Sequence, residues 1–137
     1  MYERIINVNI YRRSVVVLQG TEDELEKWFS EHDLKHLTSS VTSMDWENTR
    51  AITFDDDIDI YICSVEPMDL SVLCHEFSHA TLRILRIVGI DPINAEEAYA
   101  YLFEFLITQV TSSLDGVLLQ LSQDVSSHIA QSQSDPS

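Results

Sequence analysis

Basic residues are scarce in this chain, and so are glycine, proline and cysteine. Only 8 Lys and Arg stand against 23 Asp and Glu among 137 residues, a formal charge of −15. A surface that negative repels phosphate backbones and anionic headgroups, so nucleic-acid partners and membrane docking are both disfavoured. No apolar run reaches the roughly 18 residues needed to span a bilayer. Met1-Tyr2-Glu3-Arg4 lacks the charged-then-apolar layout of a secretory signal. Two cysteines, Cys63 and Cys74, make no disulfide framework, which points to a reducing, cytoplasmic compartment. Three glycines and three prolines leave few places for long irregular loops.

What is present suffices for one core. The chain is 45% hydrophobic and the length of a single domain. The domain is expected over residues 1–130, with a polar tail over 131–137. Residues 4–10 alternate apolar and polar, as a half-buried strand does, and 14–19 form a β-branched run. Thr21 and Glu24 fit a capping box ahead of an apolar stripe at Leu25, Trp28 and Phe29, which predicts a helix to about His32. Residues 33–49 read as a loop with one turn of helix, and Arg50–Phe54 as a short strand. Ile58, Ile60 and Ile62 alternate with Asp59, Tyr61 and Cys63, which predicts a strand with one buried face. The segment from about Pro67 to Val88 is apolar on most faces and is expected to be a central buried helix, started by Pro67 and stopped by Gly89. A second helix is predicted from about Asn94 to Thr111, and a third over 114–130. The expected fold class is α+β: a small, mostly antiparallel sheet packed on a central helix pair, with a C-terminal helix.

Within the central helix lies His75-Glu76-Phe77-Ser78-His79, an H-E-x-x-H pentapeptide. Helical residues four apart point the same way to within about 40°, so both imidazoles can address one point. Neutral imidazole is a good Zn²⁺ ligand. Glu76 lies on the flank of that face, placed to act as general base toward a water rather than as a ligand. A catalytic zinc usually takes three protein ligands. The second helix opens with Glu96 and Glu97, and a helical hairpin would bring its first turn back alongside the first helix. Small residues Ala98 and Ala100 would allow close approach. Adjacent helical positions diverge by about 100°, so the two glutamates cannot both face the ion, and periodicity leaves the choice open.

These residues make the chain resemble the zincins, specifically the gluzincin branch, whose familiar members are thermolysin-like enzymes. The resemblance rests on His75, Glu76, His79 and a following helical glutamate, with 17 residues between His79 and Glu97. It is also similar to small metallopeptidases of phages and mobile elements that cleave repressors, through Glu97-Ala98-Tyr99-Ala100-Tyr101-Leu102-Phe103. The resemblance covers about 35 of the 137 residues. It implies Zn²⁺ held by His75, His79 and Glu97, Glu76 as the catalytic base, and a polypeptide as substrate. Metzincins are excluded, because Ala80–Gly89 holds no histidine.

Other features read more plainly. The aspartates at 55–57 and 59 lack an EF-hand layout and suit a solvated turn. Cys74 points about 100° from His75 and suits a buried core cysteine. Arg83 and Arg86 are solvent-facing or paired with carboxylates. No position singles out an oxyanion-stabilising residue among Tyr61, Tyr99, Tyr101, His32, His36 and His128. In zincins an edge strand above the site pairs with extended substrate, and Ile58–Cys63 is in the right chain position for that role or for that of an ordinary strand. The leading expectation is a zinc-dependent peptidase. The alternative is a non-catalytic phage or mobile-element accessory protein with a structural or degenerate metal site, whose acidic surface binds a basic partner.

Overall fold

A computed structural model describes residues 1–111 of the chain. The helix expected at 114–130 and the tail at 131–137 lie outside the described residues. Four strands form one sheet in the order β1-β2-β4-β3: β1 (Tyr2–Val8), β2 (Arg13–Gln19), β3 (Ile52–Asp55) and β4 (Ile60–Ser64). Two pairings, β1 with β2 and β3 with β4, are antiparallel, and the central pairing of β2 with β4 is parallel. The helices are α1 (Glu22–Glu31), α2 (Thr38–Thr42), α3 (Leu70–Ile87) and α4 (Glu96–Thr111). The fold is α+β.

The sheet is covered on both faces. Ile6, Val8, Val15, Val17, Ile60 and Ile62 turn toward α3 and α4, where they meet Leu73, Phe77, Ile84 and Leu106. Val16, Leu18, Tyr61 and Cys63 turn the other way, onto Leu25, Trp28 and Phe29 of α1 and Val41 of α2. The single buried face expected for the Ile58–Cys63 strand is therefore corrected. All five residues of β4 are buried, and Ile58 lies outside the strand. Tyr61 and Cys63 are apolar enough to bury, so alternation with isoleucine did not mark a wet side. The same strand is also not an edge: β4 pairs on both sides, and β3 is the edge strand next to it.

Local chemistry sets the element ends. Thr21 and Glu24 close the capping box that starts α1, each bonding the other's backbone N–H. At α3 the cap is Asp69, not Pro67: its Oδ1 accepts from Val72 N–H at 2.8 Å and from the Ser71 hydroxyl at 2.7 Å. Gly89, at φ +80°, takes the left-handed position that ends α3. Contrary to the expected central burial, α3 is amphipathic. Leu73, Phe77, Ala80 and Ile84 are buried, whereas His75, His79, Leu82 and Arg86 form an exposed stripe on the opposite side.

The acidic turn after β3 is partly structural. Asp55 Oδ2 accepts from Arg83 at 2.6 Å and from Arg86 at 3.0 Å, which ties the edge strand to α3. Asp56 Oδ1 accepts the backbone N–H groups of Ile58 and Asp59. Burial alone would raise the Asp55 carboxyl, but the Arg83 hydrogen bond, the Asp57 N–H and both guanidinium charges hold it below the ordinary aspartate range. At Asp69, the Val72 N–H leads the same downward shift.

Two outcomes follow from these contacts. Asp69→Ala should cost about 1 kcal/mol in urea unfolding and Asp69→Asn less, because only the former removes the capping acceptor. Depressed native carboxyls stabilise the fold at pH above the unfolded value, about 4, and that stabilisation is lost as pH falls through the native values. Unfolding midpoints should therefore drop below about pH 4, and Asp55→Asn should flatten that drop while lowering stability at pH 7 by about 1–2 kcal/mol, a range reduced because both arginines reach solvent.

Candidate metal centre

The exposed stripe of α3 carries both histidines to one place. His75 Nε2 and His79 Nε2 lie 3.2 Å apart. Their ring centroids are 4.8 Å apart and the planes are inclined at 76°. Two nitrogens bound to a tetrahedral Zn²⁺ at about 2.0–2.1 Å would be separated by about 3.4 Å. The pair thus has a spacing that one ion could bridge, and one ring N–H can serve the other's lone pair. Both rings face solvent, so the burial expected for this helix does not extend to them. They are open to an incoming ion and to water.

Glu76 departs from its neighbours. It is 6% exposed, turned about 100° around the helix from His75 toward the edge strand. There its carboxylate accepts a hydrogen bond from the Thr53 hydroxyl, which also lies 3.4 Å from the Glu76 carbonyl oxygen. Thr53 was not singled out in the sequence. Its only signal is alternation on β3, where Thr53 and Asp55 turn to α3 while Phe54 turns to the ring cluster with Phe29 and Tyr61.

A groove of about 360 Å³ opens beside this carboxylate, lined by Arg50, Ala51, Ser71, Val72, His75 and Glu76. It runs between the start of β3 and the first turns of α3. On the other side of the histidine stripe, α4 approaches α3 through a Ser78 Oγ–Tyr99 hydroxyl contact of 2.8 Å. Tyr99 in turn stacks on Phe103. Ala98 is half-buried in the same core but Ala100 is exposed, so an aromatic ring rather than a pair of alanines makes the polar contact between the helices.

Glu96 and Glu97 both lie in the first turn of α4 with exposed side chains. Among the described residues no three His, Cys, Asp or Glu side chains are grouped as metal ligands. The structure brings His75 and His79 together, sets Glu76 with His75 along the groove, and leaves both first-turn carboxylates of α4 outside that arrangement. Helix phase separates the two. Glu96 is about 60° around the axis from Tyr99, the residue facing α3, and Glu97 about 160°. By helix phase Glu96 lies nearer than Glu97 to the face of α4 that carries Tyr99; both side chains are exposed, and neither is grouped with the histidines.

The remaining candidates are peripheral. Cys63 is buried and Cys74 half-buried; both are free thiols, and burial raises both above the ordinary thiol range. His32 stacks on Trp28, on the far face of the sheet. Tyr61 is buried there too, and Tyr101 is exposed; His36 is exposed, and His128 lies outside the described residues. No helix among the described residues is long and apolar enough to cross a membrane. Comparison with family models, curated proteins and solved structures returns no match to this chain.

The α3–α4 contact can be weighed directly. A double-mutant cycle on Ser78→Ala and Tyr99→Phe, read by urea unfolding, should give a coupling of about 0.5–1.5 kcal/mol. A coupling of zero would mean that the hydroxyls do not hold the two helices in this register.

Proposed function

We propose that this protein is a zinc-dependent peptidase of the gluzincin type, acting on polypeptides in the cytoplasm. The observation that carries the reading is the 3.2 Å approach of the two Nε2 atoms beside a buried glutamate at the lip of an open groove. Two imidazoles on one helix face suit zinc, and a third ligand would have to come from the exposed first turn of α4, which moves or reorients to reach the ion. His75 and His79 would hold the ion, with Glu96 the third ligand that helix phase favours and Glu97 the one the resemblance implies. The two free cysteines agree with a reducing compartment.

A bound Zn²⁺ lowers the pKa of water toward neutrality and polarises a carbonyl. The chain's own residues do the rest. Glu76 takes a proton from the attacking water as its oxygen adds to the scissile carbonyl carbon, and passes that proton to the amine nitrogen as the C–N bond breaks. The groove between β3 and α3 receives the polypeptide. Among the described residues the outer edge of β3 is unpaired, so its backbone can add the substrate as a further strand. This role falls to β3, next to the strand considered for it from sequence.

The charge of −15 favours a second reading, a non-catalytic acidic protein that binds a basic partner. Glu76→Gln separates the two. In the peptidase it should retain about one equivalent of zinc and lose cleavage of an unstructured polypeptide. A Glu76→Gln protein with unchanged biological activity would establish the binding reading instead. The ligand set has its own test: Glu96→Gln should weaken zinc affinity by at least about tenfold, and Glu97→Gln should not. The reverse order would return the third position to Glu97.

A further inference from the structure

Glu76 is enclosed, and an enclosed carboxylate needs a donor. The structure supplies the Thr53 hydroxyl, which donates to Glu76 Oε2 across the gap between the edge strand and α3. Thr53 is itself firmly placed. Its backbone is paired with Ile62 of β4, and two residues on, Asp55 anchors the same strand to Arg83 and Arg86. Oε2 is thereby committed to β3, and among the described residues no hydrogen bond takes up the other carboxylate oxygen, which is left for the proton.

From this geometry we infer that Thr53 is a positioning residue, whose hydroxyl holds the Glu76 carboxylate at the groove lip in the orientation that proton transfer requires. The inference rests on the reading of Glu76 as the base. A glutamate side chain has three rotatable torsions before its oxygens, and a hydroxyl fixed by a sheet removes much of that freedom. The same strand that offers its edge to the substrate would then also set the base, so substrate register and base orientation share one element.

The test is the visible absorption spectrum of the full chain loaded with Co²⁺ in place of zinc, for the wild type, Thr53→Val, Thr53→Ser and Glu76→Gln. All four should bind about one equivalent. Glu76→Gln should shift the spectrum, Thr53→Val should shift it in the same direction, and Thr53→Ser should match the wild type. In cleavage of an unstructured polypeptide, Thr53→Val should lower kcat about 10–100-fold with KM within about twofold, and Thr53→Ser should restore it. If Thr53→Val does not fold, Thr53→Ala takes its place against Thr53→Ser. A Thr53→Val spectrum and kcat equal to the wild type, while Glu76→Gln changes both, would overturn the inference alone. No Co²⁺ uptake by the wild type, or a Glu76→Gln spectrum identical to it, would overturn the peptidase reading and this inference with it.

Discussion

The rotational setting of α3 against the sheet is the constraint on which the rest of the molecule depends. Leu73, Phe77, Ala80 and Ile84 bury one stripe in the core, and the opposite stripe is thereby fixed as His75, His79, Leu82 and Arg86. A shift of the helix by one residue would rotate every side chain by about 100° and carry the imidazoles into an adjoining layer. The packing that stabilises the fold is also what aims the two nitrogens. Asp69 at the N-terminus and Gly89 at the C-terminus bound the helix, so that the stripe begins and ends in register.

Two polar ties then place the edge strand beside that stripe. Thr53 reaches Glu76, and Asp55 reaches Arg83 and Arg86. Both cross the interface on the flank away from α4, while the Ser78–Tyr99 contact defines the other flank. The candidate site is thus a face of one helix framed by a strand and a second helix. In a chain with only 8 basic residues, committing two arginines to one buried carboxylate is a large share of its positive charge. Those arginines hold the architecture beside the site and leave the surface strongly acidic.

Much of this was legible in the sequence where short-range rules apply. The Thr21–Glu24 capping box, the Gly89 stop and the convergence of His75 with His79 all follow from spacing within one turn of helix. Long-range placement was not legible. The order β1-β2-β4-β3 arises from a crossover that brings β3 to the edge and folds β4 back beside β2, and nothing in Ile52–Asp55 or Ile60–Ser64 announces which of them lies outside. Tyr61 and Cys63 conceal the second buried face for the same reason: only the neighbouring layer of α1 and α2 makes them core. Thr53 is invisible until strand and helix meet. Which face of α4 turns to α3 was likewise not legible, because it depends on how Tyr99 docks against Ser78.

The most direct measurement is X-ray absorption fine structure at the zinc edge on the full chain loaded with one equivalent of zinc. The account predicts two imidazole nitrogens at about 2.0–2.1 Å with the remaining ligands oxygen, and loss of one imidazole in His75→Ala and likewise in His79→Ala. A protein that retains no zinc, or one whose zinc shows sulfur neighbours or the same two imidazoles after both histidines are replaced, would contradict it.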